Sequence, residues 1–406
     1  MMANPNRQQR LRVRLTTPAL GMVKKGHPWV FADSVLETNR TGQAGELAII
    51  YDGQDRFLAI GLYDPASPIC VRILHTGKPV ELDDGWWMQR AKNACLKRAN
   101  LFKANTTGYR LIHGESDGWP GLVLDRYGET LALKIYTSAW FPWLERVRQW
   151  ITACAKHDRM ILRLSRKVQE TAQALGEWTD GQVLDGDLPS GPVLFTEEGL
   201  TFEADVLRGQ KTGFFLDQRE NRMEVARLAW GRSVLNAFSF SGGFSVHAAR
   251  GGAVAVTDLD ISAHALAAAR RNMARNRSCK TVTACAHETV QANAFDWLEA
   301  GQSKFGLVIL DPPALAKRAS ERTGALHAYE RLARLGLSRL ERGGVLVAGS
   351  CSSQITADDF FRTVRKAAMD SGKKFHEMAT RFQPADHPAG FKEAEYLKMI
   401  YLQANG

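Results

Sequence analysis

Between residues 233 and 350, short apolar runs alternate with stretches whose apolar positions recur every three to four residues. The runs lie at 234–238, 253–258, 289–293, 307–311 and 344–350. Each is mainly apolar without strict alternation, as a strand covered on both faces by helices should be. The pattern predicts a doubly wound, Rossmann-like α/β domain built on a parallel sheet. A hairpin around Glu197, Glu198 and Gly199 and a helix over 218–230 lead into it.

The earlier chain is patterned differently. Short apolar runs at 46–51 and 57–63, punctuated by Gly and Pro, predict a small β-barrel over residues 1–78. A helix over 84–101, strands at 121–125 and 130–136, a helix over 143–155 and a strand at 160–165 predict a central α+β domain over 79–190. Residues 191–406 are then left for the α/β domain. There is no internal repeat and no low-complexity segment.

Composition narrows the class of protein. The chain has 406 residues, 45% hydrophobic and 24% charged, which excludes a disordered polymer and calls for more than one core. Lys and Arg number 53 against 43 Asp and Glu, and the net charge of +10 suits a polyanionic partner. Arg7, Arg10, Arg12 and Arg14 follow one another with no acid between them, either as a basic arm or as a solvated terminus. The six cysteines form no C-x-x-C pair and have no His at zinc-ligand spacing, so reduced thiols and no metal are expected. No run approaches the roughly 18 apolar residues of a membrane span, and the N-terminus lacks an apolar signal core, which predicts a cytoplasmic protein away from membranes.

Ligands of a doubly wound sheet bind at the carboxyl ends of its strands. The first strand carries Asn236 and Phe238 and runs into Ser239, Phe240, Ser241, Gly242, Gly243 and Phe244. Two glycines allow a tight turn and a close approach to a ligand, but their spacing is not the G-x-G-x-x-G that receives a pyrophosphate. A cofactor without phosphate fits better, although a Gly-Gly pair is also ordinary turn punctuation. The second strand leads to Asp258 and Asp260, about 20 residues on, where a carboxylate can accept both ribose hydroxyls of an adenosine. Asp260 is the choice and Asp258 its rival; either could instead cap the helix that begins near Ser262. Asn293, at the end of the third run, is placed to meet an adenine edge through its amide.

The fourth run ends in Asp311, Pro312 and Pro313, and the fifth in Ser350, Cys351 and Ser352. With these, nearly the whole chain resembles the bacterial ribosomal RNA large-subunit methyltransferases that act on carbon 5 of cytosine. Other matching segments are HPWVF at 27–31, GESDGWPG at 114–121, KTGFFLDQR at 211–219 and ADHP at 385–388. The resemblance implies a PUA domain that helps grip RNA, a central domain and a class I methyltransferase domain. It implies S-adenosyl-L-methionine as cofactor, Asp217 and Gln218 near its methionine end, and ribosomal RNA of the large subunit as partner, and it leaves a homodimer open. This sequence departs from the family in having Asn293 where Asp is usual, and Ala314 where Lys often follows Asp-Pro-Pro; Lys317 is the nearest substitute.

Carbon 5 of cytosine is a poor nucleophile until a group adds to carbon 6, and a thiolate is the natural attacker. Cys351 alone of the cysteines ends a predicted sheet strand. A lone strand cysteine is more commonly a buried small hydrophobe, a preference that its small neighbours and the Asp-Pro-Pro segment reverse. Asp311 is the candidate to hydrogen-bond or protonate the ring nitrogen. The base that takes the carbon 5 proton is left unassigned. Trp29 and Phe31 are expected as core of the small barrel in preference to the alternative, in which His27, Trp29 and Phe31 stack on bases. Two alternatives stand beside this expectation: methylation of an amine or ring nitrogen of a purine, and a non-catalytic RNA-binding assembly protein.

Overall fold

Leu11, Val13 and Leu15 point inward while Arg12 and Arg14 face outward, so the start of the chain is a half-buried strand, Leu11–Leu15. The computed structural model describes residues 10–405. Of the expected basic arm, Arg7 lies outside the described residues. Arg12 and Arg14 belong to the strand: Arg12 lies over the Tyr51 ring and Arg14 pairs with Glu37 at 2.8 Å.

The chain divides into two compact units, residues up to 193 with 204–213, and residues 194–203 with 214 onward. The first holds two sheets. One has six strands in the order Trp29–Phe31, Ile69–Thr76, Phe57–Tyr63, Leu47–Tyr51, Leu11–Leu15, Val35–Thr38. The other has five, in the order Val183–Asp185, Arg159–Leu164, Thr130–Ile135, Leu122–Tyr127, Gly108–His113. The expected boundary at residue 78 falls inside this unit, where one apolar cluster joins Ile49, Leu62 and Leu74 to Trp87, Trp119 and Trp140. The strand Gly108–His113 is absent from the sequence expectation because its central Arg110 breaks the apolar run. Arg110 is buried only because Asp125 on the adjacent strand takes it at 2.7 Å.

In the second unit the hairpin is Val193–Glu197 with Leu200–Ala204, and helix Arg219–Leu228 follows. The sheet strands are β1 (Ser233–Ala237), β2 (Ala255–Asp260), β3 (Ala286–Gln291), β4 (Phe305–Leu310), β5 (Leu340–Ser350), β6 (Phe375–Phe382) and β7 (Lys398–Ala404). Their order is β3-β2-β1-β4-β5-β7-β6, with β7 antiparallel to both neighbours. Every residue of β4 is buried, as its central place demands, whereas β3, at the edge, alternates polar and exposed. The sheet departs from the expectation in strand bounds and in strand number; β5, for one, begins four residues earlier, at Leu340. β2 runs two residues further and ends on Asp260 itself. β3 ends at Gln291, and Asn293 stands beyond it. Finally, β6 and β7 add an antiparallel pair to the five expected strands.

Candidate active site

The turn leaving β1 is bent at three positions. Phe238 (φ 60°), Phe240 (φ 48°) and Gly242 (φ 73°) all adopt left-handed backbone, which for an aromatic residue costs on the order of 1–3 kcal/mol. Strain of this kind persists only where surrounding structure enforces it. Phe240 packs edge-on against Phe215, and Phe238 against Phe295. Helix Gly243–Arg250 starts directly after the turn. A side chain at Gly242 would come within 2.8 Å of the Ala269 Cβ, and one at Gly243 within 3.1 Å of Arg222 Cδ. The two glycines therefore serve packing as well as any ligand. Ser239 and Ser241 are 6% and 4% exposed, and their hydroxyls have no hydrogen-bond partner among the described residues. Buried hydroxyls of this kind suit a polar small molecule laid along the turn.

The two rival carboxylates separate clearly. Asp258 is fully buried; Oδ1 accepts from Asn236 Nδ2 at 3.0 Å and Ser245 Oγ at 2.5 Å, and Oδ2 lies 2.8 Å from His287 Nε2. Asp260 is half-buried at the sheet end, its two oxygens each oriented by one backbone N–H, from Ser262 at 2.8 Å and Phe240 at 2.9 Å. Each oxygen keeps a lone pair for a ligand hydroxyl. Helix Ala263–Arg275 is capped instead by Ser262, whose Oγ accepts from Ala265 N. Asn236, expected among the cofactor residues, is 0% exposed: its Nδ2 donates to Asp258 and Ser245, and its Oδ1 has no hydrogen-bond partner among the described residues. Asn293 is exposed and caps helix Ala294–Ala300 through Oδ1, so its amide nitrogen is what remains for an adenine. Ile261, which the sequence reading passed over, is an apolar side chain 71% exposed next to Asp260.

At the ends of β4 and β5 a second group assembles. Asp217 and Gln218 form a short turn ahead of helix Arg219–Leu228 and both are buried. Tyr396 donates to Asp217 Oδ2 at 2.8 Å. Tyr401 on β7 donates to Asn221 Oδ1 at 3.0 Å, Asn221 Nδ2 to Gln218 Oε1 at 2.6 Å, and Gln218 Nε2 to Asp311 Oδ2 at 2.8 Å. This one-way chain leaves Gln218 only its amide hydrogens to offer, which orients the Asp311 carboxyl. A side chain at Gly349 would collide with the Met399 sulfur first and would also stand 3.1 Å from Asp311 Oδ1. Cys351 is half-buried with its sulfur 3.9 Å from the Pro312 carbonyl. Asp311, Gln218 and Cys351 are thus brought to one place. Trp29 and Phe31, by contrast, are not core: Phe31 is 39% exposed, Trp29 is half-buried, and the apolar anchor of that strand is Val30.

Buried charges brace this arrangement. Glu197 meets Arg222 Nη2 at 2.6 Å and His247 Nε2 at 3.0 Å. Burial works to raise the Glu197 carboxyl, but the Arg222 charge and the hydrogen bonds from His247 and Arg222 outweigh it and hold it at about 2, while burial pushes His247 below its usual range. Arg219 pairs with Asp386 at 2.8 Å, so the two segments KTGFFLDQR and ADHP, far apart in the chain, meet. Against its own burial, Asp386 is held well below the usual carboxylate range by His387 and Arg219.

A seven-stranded sheet of this order, with a glycine turn after its first strand and a half-buried carboxylate at the end of its second, is the architecture of the class I methyltransferases. Residues 138–397 match the S-adenosylmethionine-dependent methyltransferase family and residues 13–76 a PUA-like domain. The chain belongs to the S-adenosylmethionine-dependent methyltransferases. A protein named ribosomal RNA large subunit methyltransferase, from Deinococcus radiodurans, is 52% identical to it over 411 residues, covering 99% of this chain and 100% of that one. Ribosomal RNA large subunit methyltransferase I of Shewanella denitrificans is 33% identical, covering 96% and 98%. Among solved structures, a methyltransferase from Streptococcus mutans has a TM-score of 0.78 at 22% identity, covering 97% of this chain and 99% of its own. Another, complexed with SAH, has a TM-score of 0.80 at 22% identity over the same shares. No helix among the described residues is long and apolar enough to cross a membrane, and no cluster of three His, Cys, Asp or Glu side chains among them could hold a metal ion.

Proposed function

We propose that this methyltransferase modifies carbon 5 of a cytosine in large-subunit ribosomal RNA, with Cys351 as nucleophile and Asp311 as the group at the ring nitrogen. The observation that carries the reading is the meeting of three elements: the Cys351 sulfur beside the Pro312 carbonyl, and Asp311 held by Gln218. The relatives named for large-subunit ribosomal RNA align over nearly their whole length, which supports the substrate. The +10 net charge suits that polyanion in the cytoplasm.

S-adenosylmethionine supplies an electrophilic methyl group on a sulfonium. Asp260 would hold its ribose and Ile261 its adenine face, with the amide of Asn293 at the adenine edge. Phe238, Ser239, Gly242 and Gly243 would line its path, and Asp217 and Gln218 its methionine end. Asn236 acts one step removed, by fixing Asp258 under the turn. The Cys351 thiolate adds to carbon 6, and the pair of the carbon 5–carbon 6 double bond moves toward the ring nitrogen, where Asp311 shares the proton. Carbon 5 thereby gains the nucleophilic character it lacks in the free ring and would take the methyl group, the pair of the broken sulfur–methyl bond staying on the cofactor sulfur. A general base, to which no residue is assigned, takes the carbon 5 proton; the freed pair re-forms the carbon 5–carbon 6 double bond as the carbon 6–sulfur bond breaks and the Cys351 thiolate leaves. Residues 1–78 would grip RNA, with His27, Trp29 and Phe31 as a row of rings at a sheet edge. Residues 79–190 would form the central domain and 191–406 the catalytic one.

The test is to incubate the protein with methyl-labelled S-adenosylmethionine and ribosomal RNA from a strain lacking the gene, then identify the labelled nucleoside by mass spectrometry. 5-Methylcytidine is expected, and Cys351→Ala is expected to abolish it while S-adenosylmethionine binding stays intact. A labelled purine, or full activity in Cys351→Ala, would overturn the reading.

A further inference from the structure

Lys398, the first residue of β7, is buried, being only 2% exposed. Its ammonium donates to three backbone carbonyls: Ser352 at 2.5 Å, Ile355 at 2.6 Å and Tyr396 at 3.1 Å. A Lys ammonium has three N–H donors and no acceptor, so all of its capacity is used, and only the protonated form can fill all three. Two of the acceptors belong to the loop that follows Cys351. Lys398 is also the register partner of Ser350, the residue before Cys351. None of its bonds goes to a carboxylate. A buried charge is normally paired, and here the pairing is left to carbonyl dipoles.

The loop is held from other sides as well. Ser352 Oγ donates to the Ala316 carbonyl at 2.6 Å, and Ser350 Oγ donates to Tyr329 Oη at 2.9 Å. The ionisable groups near Cys351 include Lys398 from β7 and Tyr329 from helix Arg322–Ser338, with Asp311 from the end of β4 acting on Tyr329 and Glu395, ahead of β7, acting on Lys398. Burial pushes the Tyr329 hydroxyl up to about 12, so it stays neutral. Asp311 opposes a second negative charge. Lys398 is therefore the cation of this set. Burial lowers its ammonium to about 8 while Cys351 and, after it, Glu395 work in the opposite direction, so it is charged at neutral pH.

We infer that Lys398 is a positioning residue with two tasks: it clamps the loop that carries Cys351, and its buried charge favours the thiolate of that cysteine. The inference rests on reading Cys351 as the nucleophile, but its test needs neither RNA nor cofactor. The measured quantity is the rate of Cys351 alkylation by iodoacetamide against pH in the full-length protein, followed at the Cys351 peptide by mass spectrometry. The wild-type midpoint is expected below the ~8.5 of a free thiol. Lys398→Met is expected to raise the midpoint by about one unit and to slow alkylation at pH 7 roughly tenfold, whereas Lys398→Arg, which keeps the charge, stays near the wild type.

A merely structural clamp would not move the midpoint, so an unchanged midpoint in a folded Lys398→Met protein would overturn the inference. If that variant does not fold, the wild type decides: a midpoint at or above a free thiol's would equally sink it. A low midpoint that rises in Lys398→Met, found together with a labelled purine in the nucleoside assay, would keep the role of Lys398 and remove the cytosine reading. A labelled cytosine with an insensitive midpoint would do the reverse.

Discussion

At the scale of single residues, hydrogen-bond partners decide which of several chemically equivalent side chains is left for a ligand. Asp258 and Asp260 are two positions apart and identical in kind. The first has both oxygens occupied by Asn236, Ser245 and His287, and the second is oriented by two backbone N–H groups at the sheet end. Asp260→Ala is therefore expected to weaken S-adenosylmethionine binding roughly tenfold to a hundredfold, the worth of about 1.5–3 kcal/mol for hydrogen bonds to a charged group. Isothermal titration measures this directly, and unchanged affinity would show that the ribose is held elsewhere. Asp258→Ala should act differently, lowering thermal stability by stranding the buried polar groups that converge on it. Cys351 and Asp311 were legible in the sequence as strand-end residues. Gln218 was legible only through family resemblance, because no local pattern announces a partner 93 residues away.

At the scale of elements, the turn after β1 depends on what supports it from behind. Glu197, in the hairpin, pairs with Arg222 on one helix and His247 on the next, tying three elements together. Removing one partner of such a pair leaves a buried charge unmatched, so Glu197→Gln is expected to cost about 3–5 kcal/mol, read by denaturant unfolding. The pH dependence has a definite sign. The Glu197 carboxyl is depressed to about 2 in the folded protein, so its stabilisation is present above the unfolded value near 4.5 and is lost as pH falls from there toward 2. His247 is also depressed, so below its usual 6.5 the unfolded chain takes the proton first and stability again falls in acid. Wild-type unfolding measured between pH 7 and 2 should show a decline that Glu197→Gln largely flattens below about pH 4.5; parallel curves there would reject the assignment. The hairpin itself was legible from its turn residues. β6 was not, because its residues are half-buried at an edge and give no clean apolar run.

At the scale of the whole molecule, charge is the property that speaks to the partner. A net charge of +10 implies that binding to RNA releases counterions, so affinity for a ribosomal RNA fragment should fall steeply between 50 and 200 mM salt, by about a thousandfold if six phosphates are contacted. A filter-binding series would detect this, and salt-insensitive binding would argue against an electrostatic grip. The expected three-part organisation meets a two-unit structure here. The β-rich and α+β segments share one apolar cluster within the first unit, and residues 204–213 return to that unit after the hairpin. Periodicity reports which residues are buried, but not which element they are buried against, so it separates patterns and not cores.

By itself the sequence determined the alternation of strands and helices, the left-handed turn that Gly242 permits, and the strand ends where chemistry collects. These follow from local rules: side-chain periodicity, backbone freedom and the geometry of a parallel sheet. Only the tertiary structure decided that Asp258 is spent and Asp260 presented, that Gln218 holds Asp311, and that Lys398 reaches the loop after Cys351. Apart from the Ser262 bond to Asp260, each of those rests on a hydrogen bond between residues distant in the chain, and such a bond exists only after the sheet has set β3 beside β2 and β7 beside β5, with β4 on the other side of β5.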